Sequence, residues 1–197
     1  MQLLNQINEL LQCGNGVLLT SEAEKAGIPR KQLSKLVRNG VLERTERGVY
    51  VKADGMDDVL YSLQKRAGKI VYSHETALFL HNLTDRKPFR YSITVPSGYK
   101  PSESIKSRCK AYYVKSDLID LGKIELPSGF GHYVVVYDME RTICDTARSR
   151  SRIDVQMFTE ALKNYSNRKE MDLNKLNIYA QQFGVHKLLR QYLEVLL

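Results

Sequence analysis

The residues that could most directly do chemistry lie in one short string, 137–145 (YDMERTICD), between an apolar run and a helical pattern. Its carboxylates, Asp138, Glu140 and Asp145, could hold a divalent metal, as carboxylates do in nucleases and phosphotransferases. The same string also suits a structural role, in which Asp138 caps a helix and Arg141 pairs with a nearby carboxylate. Because no glycine-rich phosphate loop accompanies the string, the structural interpretation is the better supported, and the metal-dependent nuclease or phosphotransferase stays as the alternative.

Other catalytic patterns are incomplete. His74 and Glu75 begin a zinc-protease pattern, H-E-x-x-H, but position 78 is Leu where the second His is required. No G-x-S-x-G nucleophile elbow is present. The three cysteines, Cys13, Cys109 and Cys144, form no C-x-x-C pair that would favour a structural zinc site. These three patterns therefore identify no catalytic residue, and we expect no bound metal or cofactor.

Basic side chains give a clearer pattern near the N-terminus. In a helix predicted from Pro29 to about Asn39, the apolar residues Leu33, Leu36 and Val37 share one face, and basic and polar residues share the opposite face. Such a helix can enter the major groove of DNA, and a following hairpin can reach the backbone or the minor groove. The candidate DNA-binding residues are Arg30, Lys31, Gln32, Ser34, Lys35, Arg38, Arg44 and Arg47. Solvation of an exposed face and docking to a protein are the alternatives.

A second group of basic residues lies further along the chain, where only Glu103 opposes the basic residues of 86–115. If these residues share a surface, that surface could bind phosphates, and a solvated loop face is the alternative. The candidate second basic surface comprises Arg86, Lys87, Arg90, Lys100, Lys106, Arg108, Lys110, Lys115, Arg148, Arg150 and Arg152.

The elements predicted to position the N-terminal basic residues follow one another in the order of a winged helix-turn-helix. An amphipathic helix over 1–11 ends at a Gly-Asn-Gly break, and a helix over 22–26, capped by Thr20 or Ser21, stops at Gly27. The basic helix follows, with Gly40 as its C-cap residue, and then a strand over 41–44, a turn over 45–48 and a strand over 49–51.

The rest of the chain predicts a larger α+β domain. We place the joint at the polar residues 52–55, which divides the chain into a winged-helix DNA-binding domain, 1–52, and a second domain, 56–197. The second domain has helices over 56–67 and 74–82 and strand patterns over 69–72, 91–95, 109–114, 122–126 and 132–137. Four helical patterns then fill 140–148, 154–165, 172–183 and 185–196, so we expect a mixed sheet with a helical C-terminal half.

Composition narrows the class of protein. The 197 residues are 43% hydrophobic and 26% charged, which excludes full disorder and collagen-like repeats. The formal net charge of +8 makes a polyanion a plausible partner. An odd number of widely spaced cysteines fits a reducing compartment. With no signal peptide or membrane span in the sequence, we expect a cytoplasmic protein.

Several strings together resemble a known family. They are RGVY at 47–50, YSHETAL at 72–78, TVP at 94–96, VYDMERTICD at 136–145 and YLEVL at 192–196. In their order and spread over nearly the full length, they resemble the AbiEi-like abortive-infection antitoxins of type IV toxin–antitoxin systems. Among them, the string over 136–145 is the most specific.

The resemblance implies a bacterial protein with two functions and no catalysis of its own. Its winged helix would repress its own operon by binding inverted repeats in the promoter DNA. Its C-terminal antitoxin domain would counteract a nucleotidyltransferase-like toxin, in a system related to phage resistance, without a stable complex with that toxin. We expect no membrane partner and a monomer in solution, and leave open whether it binds DNA cooperatively. The antitoxin-domain motif, Asp138, Glu140, Arg141 and Asp145, would be structural or functional.

Overall fold

The computed structural model describes residues 2–53 and 58–196, and the contacts within it divide the chain into two compact units. Unit 1 comprises Met1–Gly68 and Pro127–His132, and unit 2 comprises Lys69–Leu126 and Tyr133–Leu197. None of the helices in these described ranges combines the length and the apolar composition that crossing a membrane requires.

Unit 1 is a winged helix followed by one further helix. Its three strands form an antiparallel sheet in the order β1-β3-β2. The elements are α1 (Gln2–Cys13), β1 (Val17–Leu19), α2 (Thr20–Lys25), α3 (Arg30–Arg38), β2 (Leu42–Glu46), β3 (Val49–Lys52) and α4 (Val59–Ala67). The predicted winged helix-turn-helix and the mixed α+β class of the chain are thereby confirmed.

The core of unit 1 explains why α3 presents its basic face to solvent. Leu33 and Leu36 are buried with Ile7, Ile28 and Leu42, so the α3 face predicted to be apolar packs inward. Burying that face fixes the rotation of the helix about its axis. All the polar residues between these positions must then point outward.

Local details of unit 1 differ from the predictions in two places. Neither Thr20 nor Ser21 caps α2; instead the backbone N–H of Leu19 donates to Glu22 Oε2 at 2.9 Å. The helix therefore starts earlier than expected. The wing turn is also tighter than predicted, because β2 continues to Glu46 and the turn is Arg47-Gly48, with Gly48 at φ +85°.

The predicted joint at 52–55 and start of the second domain at 56 fall partly outside the described residues, and that boundary stays a prediction. The packing groups more of the chain with the winged helix. Lys65 of α4 donates from Nζ to the backbone oxygens of Gly14, at 3.2 Å, and Val17, at 2.7 Å. Unit 1 therefore reaches through α4 to Gly68.

A distant segment completes unit 1. Asp58, which caps α4, accepts hydrogen bonds from the side chains of Ser128 and His132, and the His132 ring stacks on Tyr61 at 4.4 Å between centroids. The Asp58 carboxylate is buried, so these partners stabilise its charge.

Unit 2 is a five-stranded mixed sheet followed by a helical half. The strand order is β6-β5-β4-β8-β7, with β5–β6 and β4–β8 parallel and β4–β5 antiparallel. The elements are β4 (Val71–Tyr72), α5 (His74–Leu80), β5 (Tyr91–Pro96), α6 (Glu103–Arg108), β6 (Cys109–Val114), β7 (Lys123–Pro127), β8 (Tyr133–Tyr137), α7 (Met139–Arg148), α8 (Val155–Ser166), α9 (Leu173–Gln182) and α10 (His186–Leu196). Among these helices and strands of unit 2, only α6 has no counterpart in the predicted elements.

Helix α7 lies at the centre of unit 2. Its residues 140–147 are all buried, polar ones included, and Ile143 and Cys144 share a core with Phe158 of α8 and Tyr179 of α9. A helix buried on every side must find partners for its polar groups within the protein. We therefore expect the polar side chains of the string 137–145 to pair with other groups of the protein.

Candidate nucleic-acid interface

The outer face of α3 is exposed as predicted. Arg30, Lys31, Gln32, Ser34, Lys35 and Arg38 are all exposed, and so are Arg44 on β2 and Arg47 in the wing turn. The structure places these eight candidate residues on one unit but divides them between two concave surfaces. Their assignment as DNA-binding residues stays a prediction.

The first concave surface follows the outer side of α3. Its volume is about 590 Å³, and it is lined by Pro29, Lys31, Gln32, Lys35, Arg38 and Asn39. Three cations and two amide side chains share this surface. Amide and cationic side chains at this spacing are the groups that hydrogen-bond base edges in a major groove.

The second concave surface, here called the wing cavity, lies between α3 and the β2–β3 hairpin. Its volume is about 380 Å³, and it is lined by Thr20, Arg30, Ser34, Arg44, Arg47, Gly48, Tyr50 and Arg66. Two candidate residues of α3 thus meet both candidate residues of the wing. Guanidinium groups of this kind are well suited to binding a phosphate.

Neighbouring groups orient two of these arginines. Arg30 Nε donates to Glu24 Oε1 at 2.6 Å, and this exposed pair raises the pKa of the Arg30 guanidinium. Arg44 Nε donates to the backbone oxygen of Glu46 at 3.2 Å. Arg47 forms no hydrogen bond or ion pair with any residue that the structure describes, which leaves its whole guanidinium available to a ligand.

The structure splits the candidate second basic surface, and binding there stays untested. Arg90 donates to the backbone oxygens of Lys106 and Cys109, and Lys106 Nζ pairs with Glu103 at 2.6 Å. Arg86 lies 3.8 Å from both Asp154 and Glu160. Much of the predicted charge is therefore neutralised, or bound to backbone, within unit 2.

Three members of that set come together around His74. Lys110 Nζ donates to Glu75 at 3.0 Å and to the backbone oxygen of Arg152 at 2.7 Å. The Arg152 guanidinium lies 4.4 Å from the centre of the Tyr112 ring, which stacks on the His74 ring. Burial, reinforced by Arg148, Lys110, Arg152 and Arg141, holds the pKa of His74 well below its usual value. His74 is therefore neutral at physiological pH.

The string 137–145 is a structural assembly. Asp138 caps α7 by accepting from the backbone N–H of Arg141 at 2.8 Å, as predicted. Arg141 donates to Asp145 at 3.0 Å and to the backbone oxygens of Leu118 and Leu121, both at 3.0 Å. Its guanidinium lies between the rings of Tyr137 and Phe183, at 4.2 and 4.1 Å from their centres. Burial raises the pKa of Asp145.

The carboxylates proposed as metal ligands face protein cations instead. Lys175 Nζ lies 2.9 Å from Asp138 and 3.4 Å from Glu140, between the two carboxylates. Glu140 also accepts from the Tyr165 hydroxyl at 3.0 Å. Within residues 2–53 and 58–196, no three His, Cys, Asp or Glu side chains are arranged to hold a metal ion. The arrangement thus does not support the metal-dependent alternative.

Arg66 is a charged residue of the wing cavity that the sequence did not predict. It lies on α4, outside the predicted first domain, and its Nη1 donates to Glu46 Oε2 at 2.6 Å. The sequence offered one weak signal, Glu46, which is one of two acidic residues in the β2–β3 hairpin. Its partner, twenty positions away, was visible only in the fold.

Comparison with solved structures supports the fold of the chain as a whole. The crystal structure of the RV2827C protein from Mycobacterium tuberculosis aligns with a TM-score of 0.55 over 90% of this chain and 75% of that chain, at 14% sequence identity. An identity this low bears on the fold alone. No curated protein sequence matches the chain significantly.

Comparison with sequence families gives a match over the part of the chain that carries the candidate interface. Residues 5–51 match the sequence model of the family described as "Transcriptional regulator, AbiEi antitoxin". The matched segment runs from α1 into β3 and includes all eight candidate DNA-binding residues. The resemblance to AbiEi antitoxins, a family of transcriptional regulators, is thus confirmed over residues 5–51.

Proposed function

We propose that this protein is a DNA-binding antitoxin that represses its own operon. The observation that carries the proposal is the outer face of α3, where Lys31, Lys35 and Arg38 line one concave surface beside a wing whose arginines line another. The family match over the same residues supports it. The helix would read bases in the major groove, and the wing would bind phosphates, at inverted repeats of the promoter.

The C-terminal part of the chain would counteract the effect of the toxin. In this proposal, the domain over 56–197 counteracts a nucleotidyltransferase-like toxin without forming a stable complex with it. The protein would itself have no catalytic activity, because the carboxylates of its most conspicuous string are paired with Arg141 and Lys175. Its place of action would be the cytoplasm, where its operator DNA is found.

A reporter experiment tests the repressor. The DNA upstream of the gene would drive a reporter, and the full chain would be supplied from a second plasmid. We expect repression by the wild type and loss of repression by the double variant Lys31→Ala/Arg38→Ala at equal protein level. Repression that is unchanged in this variant would contradict the placement of α3 on DNA.

A growth experiment separates the two functions. The neighbouring toxin gene would be induced in cells that express either the wild type or Lys31→Ala/Arg38→Ala from an unrelated promoter. We expect both proteins to restore growth, because the substitutions leave unit 2 intact. Failure of the wild type to restore growth would refute the antitoxin function, and failure of the variant alone would show that toxin control requires DNA binding.

A further inference from the structure

The wing cavity contains more positive charge than α3 and the β2–β3 hairpin supply by themselves. Four guanidinium groups line it, each from a different part of unit 1: Arg30 on α3, Arg44 on β2, Arg47 in the turn and Arg66 on α4. Two of them have carboxylate partners, Glu24 for Arg30 and Glu46 for Arg66. The cavity therefore keeps a net positive charge.

We propose that the wing cavity is a subsite for one backbone phosphate of duplex DNA, and that Arg66 is a contact residue of that subsite. The proposal deepens the DNA-binding function proposed above and rests on it. It adds to the interface a helix that lies beyond residues 5–51, which match the AbiEi family. The winged helix and α4 would then bind DNA as one unit.

The chemistry of the lining fits a phosphodiester. Guanidinium groups donate two parallel hydrogen bonds to phosphate oxygens, and several of them around one cavity can contact both non-bridging oxygens. The hydroxyl groups of Thr20 and Ser34 also line the cavity. A contact made only to a backbone phosphate carries no sequence information, so the site would bind any sequence equally.

Arg66 also sets the position of the wing. Its contact with Glu46, whose side chain is 9% exposed, ties β2 to α4. The backbone oxygen of the same Glu46 accepts from Arg44, so one residue links two arginines of the cavity. The pairing of β2 with β3 shifts register between Arg44 and Glu46, in the segment that carries these contacts. Removing Arg66 would thus subtract a cation and release a wing carboxylate beside the phosphate.

The test measures binding of the full chain to fluorescent upstream and scrambled duplexes over a salt series. We expect Arg66→Ala to weaken binding to both duplexes about tenfold, since it removes one charge-assisted contact. The dependence of log K on log salt would become shallower by about 0.9, the value for one phosphate. Arg66→Lys would keep the slope but lose affinity. Lys25→Ala, which removes an exposed cation of unit 1 outside the cavity, would leave both unchanged.

A double variant distinguishes direct contact between Arg66 and DNA from a role in which Arg66 only neutralises Glu46. Arg66→Gln/Glu46→Gln removes the ion pair as a unit and leaves no unbalanced carboxylate. If Arg66 only neutralises Glu46, this variant binds DNA like the wild type, which would overturn the proposal. We expect it to remain about tenfold weaker than the wild type, with the shallower slope.

Neutral methylphosphonate linkages locate the phosphate. Each duplex would carry a single neutral linkage, at a different position each time. At one position, the linkage should weaken wild-type binding about tenfold and have no further effect on Arg66→Ala. Additive losses at every linkage would overturn the subsite. A wild type that binds upstream and scrambled DNA equally would refute the proposed operator recognition, yet the loss in Arg66→Ala on either duplex would still establish the phosphate contact.

Discussion

Arg141 Nε donates to Asp145 Oδ2 at 3.0 Å across one turn of α7, and both side chains are completely buried. The guanidinium also binds the backbone at Leu118 and Leu121, so the pair fastens the loop before β7 to the central helix of unit 2. Two charges withdrawn from water in this way are stable only while each keeps its partner. The residues most suggestive of catalysis thus hold unit 2 together.

Breaking this pair should open α7. Arg141→Met leaves Asp145 buried without its main cation, and we expect a loss of about 3–5 kcal/mol in the opening free energy of α7. Amide hydrogen exchange measures that quantity element by element, which suits a chain of two units. Arg148→Gln is the matched control: Arg148 lies 3.7 Å from Asp145 at the surface, and its loss should cost less than about 1 kcal/mol. Equal effects of the two variants would contradict the account.

The carboxylates near Lys175 should bind no catalytic metal. Calorimetric titration of the full chain with Mg²⁺ or Mn²⁺ should give no saturable heat, because Lys175 occupies the position between Asp138 and Glu140. Lys175→Met, which removes that cation, serves as the comparison. Saturable binding to the wild type that disappears in Glu140→Gln would revive the metal-dependent alternative.

Acid should destabilise unit 2 through His74. The buried ring has a pKa well below its value in the unfolded chain, so the unfolded state binds more protons between the two values. Stability should therefore fall as pH drops below about 6.5, with a slope of up to about 1.4 kcal/mol per pH unit from this one group. His81, whose pKa burial also lowers, contributes with the same sign.

His74→Asn isolates that contribution. Asparagine tolerates the left-handed backbone found at His74, φ +46°, but has no proton to gain in this range. We expect the variant to show a shallower decline of unit 2 stability between pH 7 and pH 5, measured by hydrogen exchange. An identical pH profile for variant and wild type would rule out His74 as the acid-sensitive group.

Sequence patterns predicted the elements whose causes are local. The alternation of Leu33 and Leu36 with basic residues defined both faces of α3, and Asp138 was identified as the cap of α7 from its position alone. The roles of Arg66 and Lys175 depend on partners brought together by folding, Glu46 in one case and Asp138 with Glu140 in the other. Periodicity carries no information on such pairs, which is why Arg66 was not predicted as a residue of the wing cavity.

The two faces of α3 should respond differently to substitution. Lys31→Ala and Arg38→Ala should each weaken binding to upstream DNA by about 1–3 kcal/mol with little change in thermal stability, because both side chains are exposed. Leu33→Ala should instead lower stability by about 2–5 kcal/mol, because Leu33 is fully buried. Thermal unfolding and anisotropy on the same samples distinguish the two effects.

The central claim is that this chain recognises its own upstream DNA through α3 and the wing. Fluorescence anisotropy of the full chain over a salt series, with upstream and scrambled duplexes, tests it most directly. We predict tighter binding to the upstream duplex at every salt concentration, and a steep fall of affinity with salt on both duplexes. Equal affinity for the two duplexes throughout the series would contradict operator recognition.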